Sequence, residues 1–84
     1  MKKFYFAYGA YAQMDALDGV VVFEKNKEQA IAYFKEILAS EDFQKRFKYV
    51  DFEDFGEPEQ MLVLNPKKTF KGYYVEPSSD DWDV

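Results

Sequence analysis

The stretch "DFEDFGEPE", Asp51 to Glu59, holds five carboxylates and no basic residue. Three kinds of chemistry use such a pattern. Acid–base catalysis would pair Asp51, Glu53 or Asp54 with a nearby Tyr or Lys, in a crevice that raises one carboxyl pKa. Calcium binding would need an EF-hand loop, with acids at alternate positions, a central glycine and a closing bidentate acid. Gly56 stands sixth from Asp51, as required, but Phe55 takes the fifth ligand position and Leu62 the twelfth. The EF-hand is therefore rejected and no metal is expected. The third is recognition: Asp51, Glu53, Asp54, Glu57 and Glu59 would form a presented acidic ridge. Such a ridge could stand in for nucleic-acid phosphates on a basic surface. Against this stands a plainer reading, a solvated charged loop that Phe52 and Phe55 tie to the core.

A second acidic group closes the sequence. "SSDDWDV" places Asp80, Asp81 and Asp83 around Trp82, the only tryptophan. An acidic segment with one large aromatic side chain suits a peptide ligand, the ring filling a pocket while the acids meet Lys or Arg. Alternatively, Trp82 folds onto the domain and completes a core short of volume. Nine of the sixteen acids follow Val50.

The basic residues gather in "KRFK" (Lys45 to Lys48) and "KKTFK" (Lys67 to Lys71), each interleaved with a Phe. Stacking and phosphate contact on single strands use that pairing. Six basic residues do not offset a net charge of −5, so direct nucleic-acid binding and anionic membranes are disfavoured as partners. A dipolar surface, with homo-oligomer formation possible, is the alternative expectation.

What is missing narrows the rest. There is no Cys and no His. Disulfides, thiolate or imidazole metal sites, cysteine nucleophiles and histidine bases are thereby excluded. No Gly-rich phosphate loop or nucleophile elbow occurs, so neither a cofactor nor enzymatic activity is expected. The start "MKKFYFAYGAYA" has a basic opening but no clean apolar run, and no stretch approaches the ~20 apolar residues of a membrane span. A cytoplasmic location is the expectation.

These groups need a scaffold. With 84 residues the chain makes one small domain, burying about 60–65% of its unfolded surface. Nine Phe and seven Tyr are its means of filling a core, at ~150–250 Å² each. Phe4, Phe6 and Tyr8 alternate with Lys3, Tyr5 and Ala7, which predicts a strand over Lys2 to Ala12. "GVVVFEK" (Gly19 to Lys25) predicts a second, pairing with the first as a hairpin. In "NKEQAIAYFKEILAS" the apolar spacing of Ala30, Ile31, Phe34, Ile37 and Leu38 predicts the main helix, capped by Asn26 with Gln29 three residues on. Ser40 interrupts it, and "SEDFQKRF" predicts a short turn or helix with Phe43 and Phe47 four apart.

The segment from Lys48 to Gln60 is ambiguous, with an edge strand as one outcome. "QMLVLN" (Gln60 to Asn65) reads as a buried strand, and "TFKGYYVEP" (Thr69 to Pro77) as the last. The order β-β-α-β-β, with a possible extra edge strand and short second helix, predicts an α+β domain over 1–77. A small antiparallel sheet would carry the main helix on one face, with 78–84 as an acidic tail. A more curled sheet around the helix is the runner-up.

Tyr5 and Tyr11 share a strand parity that Tyr8 opposes, so one set should face the core and the other an exposed sheet face. The function these features point to is a non-catalytic module that occupies a basic, nucleic-acid-binding surface of a protein partner. The partner-binding residues would be Asp51, Glu53, Asp54, Glu57, Glu59, Asp80, Asp81, Trp82 and Asp83. A structural homo-oligomer using a strand edge or aromatic face is the rival.

Overall fold

The computed structural model describes residues 1–9, 17–47, 50–64 and 70–77. Four strands form one antiparallel sheet: β1 (Lys2–Ala7), β2 (Leu17–Glu24), β3 (Glu59–Met61) and β4 (Gly72–Pro77), in the order β3-β1-β2-β4. Two helices lie between β2 and β3 in sequence, α1 (Lys27–Ala39) and α2 (Glu41–Arg46). This is the α+β arrangement that the alternation patterns predict.

β1 and β2 pair in a register that sets Phe4 opposite Val22 and Phe6 opposite Val20. Because successive side chains alternate between faces, these four point to one side, where α1 packs. Ala30, Phe34, Ile37 and Leu38 are the buried side of α1. The centre is the stack of Phe6 on Phe34, ring centroids 4.0 Å apart. Asn26 caps α1 as expected: its side chain accepts the Gln29 N–H at 2.8 Å. Ser40 both ends α1 and starts α2. Its N–H and hydroxyl donate to the Ile37 carbonyl, and its oxygen accepts the Phe43 N–H at 3.3 Å. α2 then brings Phe43 into the core beside Phe47, centroids 5.0 Å apart.

Three expectations change. In the ambiguous segment, Val50 to Glu53 does not form the edge strand its alternation suggests: Phe52–Asp54 is a 3-10 turn, and only Glu59 and Gln60 at its end enter a strand, β3. The hairpin strands differ in bounds from those expected: β1 starts at Lys2 as predicted but ends at Ala7, with residues 10–12 outside the described ones, and β2 begins at Leu17 and ends at Glu24. Gln60 to Leu64, the described part of "QMLVLN", is not buried; Val63 alone is half-buried. β3 keeps only three residues, all exposed, and Leu62 and Leu64 are 77% and 89% exposed. The strand order supplies the reason: β3 sits at the sheet edge beside β1, so an apolar run that would suit a central strand is left at the rim. Among the described residues no helix is long and apolar enough to cross a membrane.

Candidate functional site

The acidic segment is positioned by its apolar residues. Val50 is buried in the core, and Phe55 sets its edge against Phe34 with centroids 4.8 Å apart. Phe52 lies half-buried, 5.9 Å from Phe34, with the Lys35 ammonium 4.8 Å over its ring. The backbone is tied at three points. Phe55 bridges to Tyr8, the Gly9 N–H donates to the Asp54 carbonyl at 2.9 Å, and the Gly56 N–H donates to the Ala7 carbonyl at 3.2 Å. The segment thus continues the β1 edge past the end of the strand.

Between those anchors the carboxylates project. Asp51, Glu53, Glu57 and Glu59 are exposed and Asp54 is half-buried. Three have work within the molecule. The Asp54 carboxylate accepts the Asp51 N–H at 3.0 Å, and the Asp51 carboxylate in return accepts the Asp54 N–H, a capping box that closes the turn. Glu57 meets Lys27 at 3.0 Å, a pair so exposed that it is worth ~0–1 kcal/mol. Glu53 and Glu59 remain directed to solvent on the same segment. Both readings of the segment therefore have structural content: the phenylalanines do tie it down, and the acids do stand out. Asp80, Asp81, Trp82 and Asp83 lie outside the described residues, as does Tyr11.

Sequence reasoning missed Glu24. It is the one charged residue buried among those described. Its side chain, 6% exposed, accepts the Lys25 N–H at 2.9 Å and pairs with Lys71 at 3.3 Å. The Lys71 ammonium also lies 4.9 Å over the Tyr33 ring. Strand parity held the signal, because Glu24 continues the helix-facing row of Val20 and Val22. These groups, with Gln29, Ala32 and Glu36, line a cleft of about 180 Å³. Glu24, at the end of β2, and Lys71, just before β4, already satisfy one another there, beside α1. None of Asp51, Glu53 or Asp54 lines it. Among the described residues no three carboxylates converge as a metal-binding group.

The basic residues divide. Lys71 is held by Glu24, whereas Lys45 and Arg46 stand exposed on α2, with the Arg46 guanidinium 5.0 Å over the Phe47 ring. Lys48, Lys67 and Lys68 lie outside the described residues.

The sequence matches no family model, and no curated protein or solved structure matches it. Any function must be argued from these side chains alone.

Proposed function

We propose that this chain is a non-catalytic protein-interaction module whose acidic ridge, Asp51 to Glu59, occupies a basic, nucleic-acid-binding surface of a partner protein. One observation carries the reading: within a single nine-residue segment, Phe52 and Phe55 hold the backbone to the core while Asp51, Glu53, Glu57 and Glu59 stay exposed. A charge run on a free loop must be ordered on binding, at a cost in conformational entropy. Here that ordering is done by folding, so the charges meet a partner already spaced. The effect would be inhibitory or regulatory, by competition with nucleic acid for the same surface. The reading needs no cofactor, and a cytoplasmic location goes with it. Asp80, Asp81, Trp82 and Asp83 would extend the same acidic surface.

The test is capture of partners from a cell lysate on the immobilised protein across a salt series. Charge steering is screened beyond ~8 Å at physiological ionic strength, so recovery should fall steeply as salt rises, and added DNA should compete. The triple variant Asp51→Lys, Glu53→Lys, Glu59→Lys should weaken capture at least about tenfold, because like charges then face one another. Recovery that is the same at low and high salt, or unchanged by the triple variant, would overturn the proposal.

A further inference from the structure

The face of the sheet away from α1 is covered by no described element, yet it is not an ordinary polar face. The strand registers line up Glu59, Tyr5, Val21 and Tyr74 in one row across it. On one side of this row Met61, Lys3 and Phe23 lie level, and on the other Gly19 and Glu76. Phe23 and Tyr74 meet at 6.1 Å. The Tyr5 ring leans towards Gly19, where an added Cβ would come within 2.6 Å of its Cε1 and hydroxyl. That hydroxyl donates to the Asp18 carbonyl at 3.2 Å. Met61 and Tyr74 are 40% and 41% exposed. An aromatic layer left open in this way marks a contact surface.

The charges around the layer select what it takes. Glu59 on β3 and Glu76 on β4 stand at its two margins, since both strands are sheet edges. Asp18 joins them, because Asp18 and Glu76 both act electrostatically on the Tyr5 hydroxyl. Lys3 is the one described cation in these rows, its ammonium 6.0 Å from the Tyr74 ring. Three carboxylates against one ammonium give the layer a negative rim. A second copy would bring the same carboxylates against it. Nucleic acid, an anionic membrane or this chain's own Asp80, Asp81 and Asp83 would likewise add negative charge to negative charge. A basic polypeptide with an apolar side is complementary. The geometry points to its form. Three strand spacings of ~4.8 Å set the acidic margins ~14 Å apart, and an α-helix with its side chains is ~10–12 Å across. Such a helix fits between the margins, with its apolar stripe on the rings and a cation on each flank.

We infer that the open sheet face is a docking surface for a basic amphipathic helix of a partner protein. The helix lays its apolar stripe along Tyr5, Phe23 and Tyr74, and its lysines or arginines meet Glu59 on one flank and Glu76 with Asp18 on the other. The ring faces add to this, because aromatic rings attract cations. The inference rests on the reading that the partner is a basic protein, and it deepens that reading. Glu59 belongs both to the acidic ridge and to this face, so a partner held by the ridge meets the face without a break. What is added is that part of the partner's basic surface is a helix with an apolar side.

Fluorescence anisotropy of a labelled synthetic helix of leucine and lysine, with every leucine on one side, tests it on the full chain. A peptide of the same composition in shuffled order, which has no apolar side, is the comparison. The amphipathic peptide should bind at least about tenfold more tightly than the shuffled one, because only it buries its leucines on the rings. Glu59→Lys with Glu76→Lys should weaken it at least about tenfold. Met61→Ser with Tyr74→Ser should abolish its advantage over the shuffled peptide; both positions are exposed, and far-UV circular dichroism shows that each variant is folded. Asp51→Lys with Glu53→Lys, on the ridge alone, should leave peptide binding nearly unchanged. Equal affinity for the two peptides, or amphipathic binding that survives both face variants, overturns the inference and leaves the ridge reading standing. The ridge reading fails separately, when lysate capture ignores salt and the ridge variants while the peptide still binds the face. Binding gained only after truncation behind Pro77, or a wild type that sediments as a dimer which the peptide does not enter, also overturns the inference. The face would then belong to the chain's own C-terminal segment or to a second copy.

Discussion

The two faces of the sheet bury neighbouring valines by different means. On the helix side, Val20 and Val22 lie under a cluster built by Phe4, Phe6, Phe34, Phe43 and Phe55, with α1 and α2 as its roof. On the other side Val21 is as fully buried, yet it belongs to no such cluster. Its neighbours in register on that face are two aromatic residues, Tyr5 and Tyr74. The comparison teaches that burial of a side chain and burial of a face are separate matters. A sheet with one main helix has one core, and a side chain on its other face can be buried without joining that core.

Breaking the helix side should have the largest effect. Phe34 touches Phe6, Phe52 and Phe55 at once, so it joins α1, the sheet and the acidic segment. Phe34→Ala should cost ~3–5 kcal/mol, the usual range for a buried aromatic. That is a large part of the roughly 5–15 kcal/mol total for a domain. Chemical denaturation would measure it. A loss below about 1 kcal/mol would mean that the ring is not the centre of the core.

On the open side the sensitive position is a glycine. A Cβ at Gly19 would meet the Tyr5 ring and, less yieldingly, the Phe6 carbonyl oxygen at 2.6 Å. A ring can swing away, whereas a backbone carbonyl in a strand pair cannot move without disturbing the register. Gly19→Ala should therefore cost ~1–3 kcal/mol as an overpacking change. Thermal melts of Gly19→Ala and of the double variant with Tyr5→Ala separate the two contacts. If removing Tyr5 restores full stability, the backbone contact is unimportant.

The valines sharpen the comparison directly. Val22→Ala leaves a gap under fixed helices and should cost ~2 kcal/mol, the transfer of its lost methyl groups plus a cavity. Val21→Ala leaves a gap beside surface side chains that can settle into it, and should cost ~1 kcal/mol. Equal losses in denaturant titrations would show that the open face is packed as firmly as the core.

Local patterns made much of this architecture legible. Asn26 with Gln29, the apolar spacing along α1, and the alternation of Phe4 and Phe6 each act over a few residues, and each forms what it predicts. What stayed hidden depends on strand order. Nothing within "QMLVLN" says that β3 lies at the edge; the pairing of β1 with both β2 and β3 decides it, and Leu62 and Leu64 are exposed in consequence. Phe52 alternates with Asp51 and Glu53 as in a strand, but Asp54 turns back to the Asp51 N–H and closes a 3-10 turn. A side chain bonding its own backbone overrides a period-of-two pattern. For the acidic ridge, the sequence offered the charges and their anchors together, and the structure divides them by exposure. Glu24 was concealed because its partner Lys71 is distant in sequence.

The smallest expected effect reports on the open face alone. Burial, and then the negative charges of Asp18 and Glu76, raise the pKa of the Tyr5 hydroxyl above the ordinary tyrosine value. In the unfolded chain the same hydroxyl ionises near pH 10. The native state therefore keeps its proton to higher pH than the unfolded state. Stability contributed by the neutral hydroxyl is complete below the unfolded pKa, declines as pH rises through it, and levels off above the native pKa. Tyr5→Phe removes the titration together with the hydrogen bond to the Asp18 carbonyl. At neutral pH the wild type should exceed this variant by ~0.5–1.5 kcal/mol, the net worth of one such bond. Denaturant titrations of both proteins from about pH 8 to 11 should show that margin shrinking as the unfolded tyrosine ionises. A margin that stays constant, or grows, would mean that Tyr5 is neither desolvated nor near the two carboxylates.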